Sequence, residues 1–240
     1  MTERPILFSG SMVRAILSGS KTQTRRVVKP GRGQEWLRPS TLLLSPRAKP
    51  VLIDGQQWAQ FAHPEAGKMF MGIQHDEWSP LGCVRCPHGA PGDRLWVREA
   101  FDPIYPQDPH YNGGRPIEYD YRATYQHGYR LGDSLGIKKR WTPSIYMPRE
   151  ASRITLQVTD VRVERLQDIS EADAIAEGIE ADRQPGDKVP LWRNYATGGT
   201  TICPQHSYRT LWESINGDGS WSINPWVWVV SSQRVEVGND

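Results

Sequence analysis

Residues 153–166, RITLQVTDVRVERL, place apolar side chains at Ile154, Leu156 and Val158, lose the alternation at Asp160, and regain it at Val161 and Val163. Successive side chains of a strand point to opposite faces, so a break of phase inside one run marks a bulge or a bend between sheets. Small barrels turn their corners with this device. The next stretch, DISEADAIAEGI (168–179), has Ser170 as an N-cap, Asp173 three residues later as the far half of a capping box, and Gly178 as a stop. It reads as a short helix that presents Glu177 at its C-terminal end.

Working outward, PILFSG (5–10) is a short apolar strand that ends at Ser9-Gly10. SMVRAILSG (11–19) follows with Met12, Val13, Ile16 and Leu17 at helical spacing and Gly19 where a C′ residue belongs. In APGDRLWVREAF (90–101) a Pro91-Gly92-Asp93 turn leads into a strand whose Leu95 and Val97 alternate with Arg94, Trp96 and Arg98. YDYRATY (119–125) is the best strand candidate in a Tyr-, Pro- and Gly-rich region. SYRTLWESING (207–217) reads as a helix stopped at Gly217, and NPWVWVVSSQRVEV (224–237) as a long closing strand with Trp226 and Trp228 on one face. Short strands at TLLL (41–44) and VLIDG (51–55) punctuate an otherwise patternless stretch. The chain is expected to be one domain over 1–240, with insertions at about 30–80 and 181–206. Its class is α+β, mainly β: a small curved β-barrel with peripheral short helices and long loop insertions.

The totals set bounds on function. Lys+Arg is 29 against 27 Asp+Glu, a net charge of +2, but the first 49 residues hold ten Lys/Arg and two acids. That asymmetry suits a nucleic-acid or nucleotide ligand at the N-terminal part, and equally a plain solvated surface. The chain has no apolar run of about 18 residues and no apolar leader, so a cytoplasmic protein with no membrane partner is expected. Three cysteines, an odd number, fit a reducing compartment better than a disulfide scaffold. Ten Trp supply barrel walls or base-stacking platforms.

SGSKTQTRR (18–26) crowds Lys21, Thr22, Thr24, Arg25 and Arg26 together, either as a basic loop or as a site for an anionic or polar ligand. Lys21 and Thr24 lie three residues apart, and a turn between them would let the amine serve as base for the hydroxyl. Such a lysine needs a depressed pKa, which burial or the neighbouring guanidiniums would provide. Glu177 is a candidate carboxylate for the proton-transfer set. Cys83 and Cys86, with Cys203 and His206 far away, have the ligand types of a structural zinc site, against two free thiols in a loop. There is no G-x-G-x-x-G, P-loop or G-x-S-x-G.

Taken in order, PILFSGSMVRAILSGSKTQTRR, PGDRLWVREAF, SRITLQVTDVRVERLQDISEADAIAEGI and the terminal PWVWVV resemble the ASCH domain of the PUA-like superfamily, in the larger form met in phages and prophages. The resemblance implies a β-barrel of five or six strands with helices beside it, and its hallmark G-x-K-x-x-T-x-R falls on Gly19, Lys21, Thr24 and Arg26. It further implies RNA binding, ribonuclease activity, or amide hydrolysis of N4-acetylcytidine. In the last case Lys21 is the base, Thr24 the nucleophile and Glu177 the proton donor. Gly19, Arg25, Arg26 and Trp96 would then bind the substrate, an RNA or a modified nucleoside. No cofactor is needed for that chemistry; the zinc set would only staple the insertions.

Overall fold

The structure, a computed structural model, describes residues 1–29, 50–53, 56–59, 84–105, 111–125, 140–182 and 189–235. The 41–44 strand expectation and most of the expected 30–80 insertion lie outside these residues. Among the described residues the strands are, in chain order, β1 (Glu3–Leu7), β2 (Gln23–Val27), β3 (Pro50–Ile53), β4 (Gln56–Ala59), β5 (Val84–Arg85), β6 (Arg94–Arg98), β7 (Phe101–Ile104), β8 (Glu118–Tyr121), β9 (Thr155–Arg165), β10 (Trp192–Arg193), β11 (Thr200–Thr201) and β12 (Trp226–Val235). The α-helices are α1 (Gly10–Leu17), α2 (Glu171–Ala176) and α3 (Pro204–Asn216). The class is α+β with sheet predominating. Among the described residues no helix is long and apolar enough to cross a membrane.

The main sheet has the order β1-β6-β9-β12-β2, with β1 parallel to β6 and the remaining pairs antiparallel. The phase break in β9 is a bulge: Asp160 pairs with Ser231 and Val158 with Ser232, leaving Thr159 as the extra residue. β12 is apolar on both faces because both are covered. Trp226, Trp228 and Val230 enter one core cluster with Leu95, Val97 and Val161, while Val227 and Val229 enter a second with Leu211 and Trp212 of α3. Near-continuous apolar runs mark strands buried on both faces.

The expected barrel is not closed by backbone pairing among the described residues: β1 and β2 are unpaired with one another at the two edges of the sheet. Side chains bring those edges together instead. Arg26 Nη2 on β2 donates to Leu7 O at the end of β1 at 2.6 Å, and Ile6, Phe8 and Val28 share the first core cluster. YDYRATY is a second correction. The strand stops at Tyr121 and a 3-10 turn, Arg122–Thr124, follows, because Ala123 is buried in the first cluster and the Arg122 N–H donates to Ala100 O. Within the expected 181–206 insertion, the described residues 189–206 include β10 paired with β11, and Trp192 and Tyr195 pack on the second cluster.

Caps follow their sequence signals. Ser9 Oγ accepts from Met12 N–H and Ser170 Oγ from Asp173 N–H. The capping box at α2 is only half made, because the Asp173 carboxylate turns away to Arg25 and Arg162. α3 begins at Pro204, upstream of the expected Ser207, since proline at the first position needs no acceptor for an N–H.

Candidate functional site

Lys21 enters β2 through backbone bonds to two other elements. Its N–H donates to Ala15 O of α1 at 3.0 Å, Thr22 N–H donates to Ala176 O of α2 at 2.9 Å, and residues 21 and 177 form an antiparallel bridge. Gly178 makes the approach feasible. It has φ +79, and a Cβ there would lie 2.7 Å from Lys21 Cβ and 3.0 Å from Ala15 Cβ. The helix stop read from the sequence is therefore also a packing requirement.

Lys21 is buried, and its amine is held by Gln23 O at 2.8 Å, Glu177 O at 2.7 Å and Glu177 Oε2 at 3.0 Å. Burial pulls the Lys21 pKa down, Glu177 opposes that, and Arg26 and Arg25 add to it. Arg25, 3% exposed, belongs to the same network: Nη1 meets Glu177 Oε1 at 3.3 Å and Nη2 meets Glu164 and Asp173 at 3.0 and 3.2 Å. Arg162 joins Glu164 and Asp173 from β9. Burial alone would raise the Asp173 carboxyl, but Arg25 and Arg162 hold it below its ordinary value. Lys21, Arg25 and Arg162 are thus matched by Glu177, Glu164 and Asp173, with Asp160 3.6 Å from Arg162 at the exposed end of the network. Arg25, expected to bind substrate, is in the lining of the cleft on β2, but it is buried and both its Nη atoms are engaged by Glu177, Glu164 and Asp173.

Along β2 runs a cleft of about 60 Å³ lined by Met12 of α1, Thr24, Arg26, Glu177, and Tyr208 and Leu211 of α3. Thr24 and Tyr208 are 6% and 3% exposed, and neither hydroxyl makes a hydrogen bond among the described residues. Burial and the nearby Glu177 push the Tyr208 phenol well up, against Arg25 and Arg26, so it stays protonated and able to donate. The Arg26 guanidinium lies 5.3 Å from the Phe8 ring centroid, and the Lys21 amine 5.6 Å. Burial lowers the Arg26 pKa while Glu177 raises it.

The structure therefore brings Thr24, Glu177 and Arg26 to one cleft with Lys21 behind Glu177, but no hydrogen bond joins the Lys21 amine to the Thr24 hydroxyl. Gly19, φ +77, closes α1 and lines nothing in the cleft; its part is to turn the chain toward Lys21. Trp96 is elsewhere. Its neighbours Leu95 and Val97 face the core, so Trp96 projects from the other face, with Arg98 and Arg149 5.2 and 6.0 Å from its ring. Tyr208 escaped the sequence reading. It belongs to the Tyr208, Leu211, Trp212, Ile215 stripe of α3, and a hydroxyl within an otherwise apolar stripe was its one signal.

Three of the four residues expected to hold zinc are described. Cys83 lies outside the described residues, and Cys86 is buried in the first core cluster, where desolvation pushes its thiol to about 11. Cys203 is exposed beside Gln205, and His206 contacts Thr201. Among the described residues no group of three His, Cys, Asp or Glu is placed to hold a metal ion. No family model, no curated protein and no solved structure matches this chain.

Proposed function

We propose that the chain is an ASCH-type, PUA-like protein that recognises a cytosine nucleoside or RNA and hydrolyses an N4-acyl amide, with N4-acetylcytidine as the expected substrate. The observation that carries this reading is the buried Lys21–Glu177 contact at 3.0 Å beside a cleft lined by Thr24, whose hydroxyl has no hydrogen-bond partner among the described residues. Burial pulls the Lys21 pKa down, and the reaction starts once the lysine proton has crossed this contact to Glu177, leaving a lone pair on the amine.

The chemistry is acyl transfer. The Lys21 amine takes the Thr24 proton as Oγ1 adds to the acetamide carbonyl, and the Glu177 carboxyl gives its proton to the departing cytosine nitrogen. The C–N bond breaks, leaving acetyl-Thr24, a lysine ammonium and a glutamate carboxylate. Glu177 then takes a proton from water as the water attacks the ester, and Lys21 returns one to Thr24 Oγ1 with release of acetic acid. Arg26 and the Tyr208 phenol are the donors for the oxyanion. Two adjustments are required of the unliganded form: the Lys21 amine must turn toward Thr24, and α1 and α3 must part, because about 60 Å³ admits an acyl-sized group and not a nucleoside. Chromatography of N4-acetylcytidine incubated with the purified protein tests the reading. Release of cytidine supports it, and an unchanged substrate peak removes it.

A second reading, RNA binding without catalysis, is favoured by the three acceptors that already occupy the Lys21 amine. It predicts RNA affinity that falls steeply with salt and survives Thr24→Ala, since phosphate neutralisation does not use that hydroxyl.

A further inference from the structure

A second cavity, about 450 Å³, opens at the start of α1 and shares no lining residue with the cleft on β2. Its wall is made by the Ser9–Ser11 segment and Arg14, by Glu99 and Ala100 after β6, and by Arg122 and Ala123 of the 3-10 turn. The charges there do not balance. Arg14 folds back over the first turn of its own helix, with Nη1 3.7 Å from where a Cβ on Gly10 would stand, and that first turn contains no acid. A helix start is the positive end of the dipole, and its first N–H groups lack carbonyl partners, so an exposed guanidinium there is mildly unfavourable and an anion beside it is favoured. Arg122 adds a second guanidinium to the same wall. Neither arginine makes a hydrogen bond or ion pair among the described residues. The carboxylate in the wall, Glu99, cannot neutralise them, because both its oxygens are held by Arg153 at 2.9 and 3.0 Å.

We propose that this cavity binds the phosphate of a nucleotide unit between Arg14 and Arg122. The volume is within the range of small-molecule sites, and two planar guanidiniums with free N–H groups at a helix start match phosphate oxygens. Glu99, fixed by Arg153 and 1% exposed, retains lone pairs that accept from a ribose hydroxyl or a base amino group. The phosphate belongs either to a mononucleotide or to the backbone of a single strand.

The test is calorimetric titration of the full chain with cytidine 5′-monophosphate and with cytidine, and anisotropy with a fluorescein-labelled oligocytidylate. Arg14→Ala, Arg122→Ala and the stem-preserving Arg122→Gln are each expected to weaken phosphate-dependent binding about tenfold or more. Arg193→Ala, which removes an arginine already paired with Glu180, is the charge-matched control and is expected to leave it within about twofold. Binding of the monophosphate but not of cytidine supports a monophosphate site, and binding of the oligonucleotide alone supports a backbone-phosphate site. Failure of both probes to bind, or equal binding by wild type and the Arg14 and Arg122 variants, overturns the proposal. N4-Acetylcytidine has no phosphate, so its turnover is expected to be unchanged in Arg14→Ala, and the proposals for the two cavities stand or fall separately.

Discussion

The cleft on β2 and the cavity at the start of α1 contain the same kinds of side chain in opposite electrostatic states. In the first, Lys21, Arg25 and Arg162 are matched by Glu164, Asp173 and Glu177, and Arg25 and Lys21 are out of solvent. In the second, Arg14 and Arg122 line open space with no counter-ion among the described residues, and Glu99 is committed to Arg153. A closed, balanced network holds protons in place and is expensive to break. An unbalanced rim costs little in the fold and is completed by a ligand.

Breaking the balanced side should have the largest effect. Glu177→Ala leaves the Lys21 ammonium buried without its carboxylate, and urea unfolding should show a loss of about 3–5 kcal/mol, with Glu177→Gln milder because an amide oxygen still accepts. The next effect depends on pH. Burial, with Arg26 and Arg4 adding to it, lowers the His88 pKa from 6.5 to about 4, so the folded chain holds that imidazole neutral. Below 6.5 the unfolded chain gains a proton that the native chain refuses until about pH 4. Stability therefore falls as pH drops through that window, by at most about 3 kcal/mol from this group, and His88→Gln should remove that part of the loss in unfolding curves taken at either end of the window. Gly178→Ala combines a positive φ with a contact on Lys21 Cβ and should cost about 1–3 kcal/mol by urea unfolding. The smallest effect belongs to the unbalanced side: Arg14→Ala and Arg122→Ala should leave the unfolding free energy within about 0.5 kcal/mol, even where they abolish nucleotide binding. A large loss of stability in either variant would mean that those arginines are structural and that the contrast between the two regions is false.

The features legible in sequence are the ones whose causes are local. The Thr159 bulge shows because strand alternation is a nearest-neighbour property, and Ser170, Gly19 and Gly217 mark helix ends because caps act within one turn. Pairings between distant residues were not legible. Lys21 and Glu177 lie 156 positions apart, and only the backbone stitching of Lys21 to Ala15 and of Thr22 to Ala176 brings them together. Arg25 and Arg26 are chemically alike and adjacent, but strand alternation sends Arg25 into three carboxylates and Arg26 to Leu7 and Phe8. Which face would meet the acids depended on α2 and β9, so the division of roles between the two arginines was not available from SGSKTQTRR. Barrel closure was not legible either: among the described residues β1 and β2 stand unpaired with one another at the two edges of the sheet, which the pattern of neither strand reveals.

The most direct test of the chemistry is the rate of cytidine release from N4-acetylcytidine by wild type, Thr24→Ser and Thr24→Ala at equal folded concentration. A nucleophilic hydroxyl predicts that wild type turns over, that Thr24→Ser retains measurable activity, and that Thr24→Ala loses at least about 10²-fold. Turnover by Thr24→Ala at the wild-type rate would contradict the covalent route, and no turnover by wild type would contradict the amidohydrolase itself.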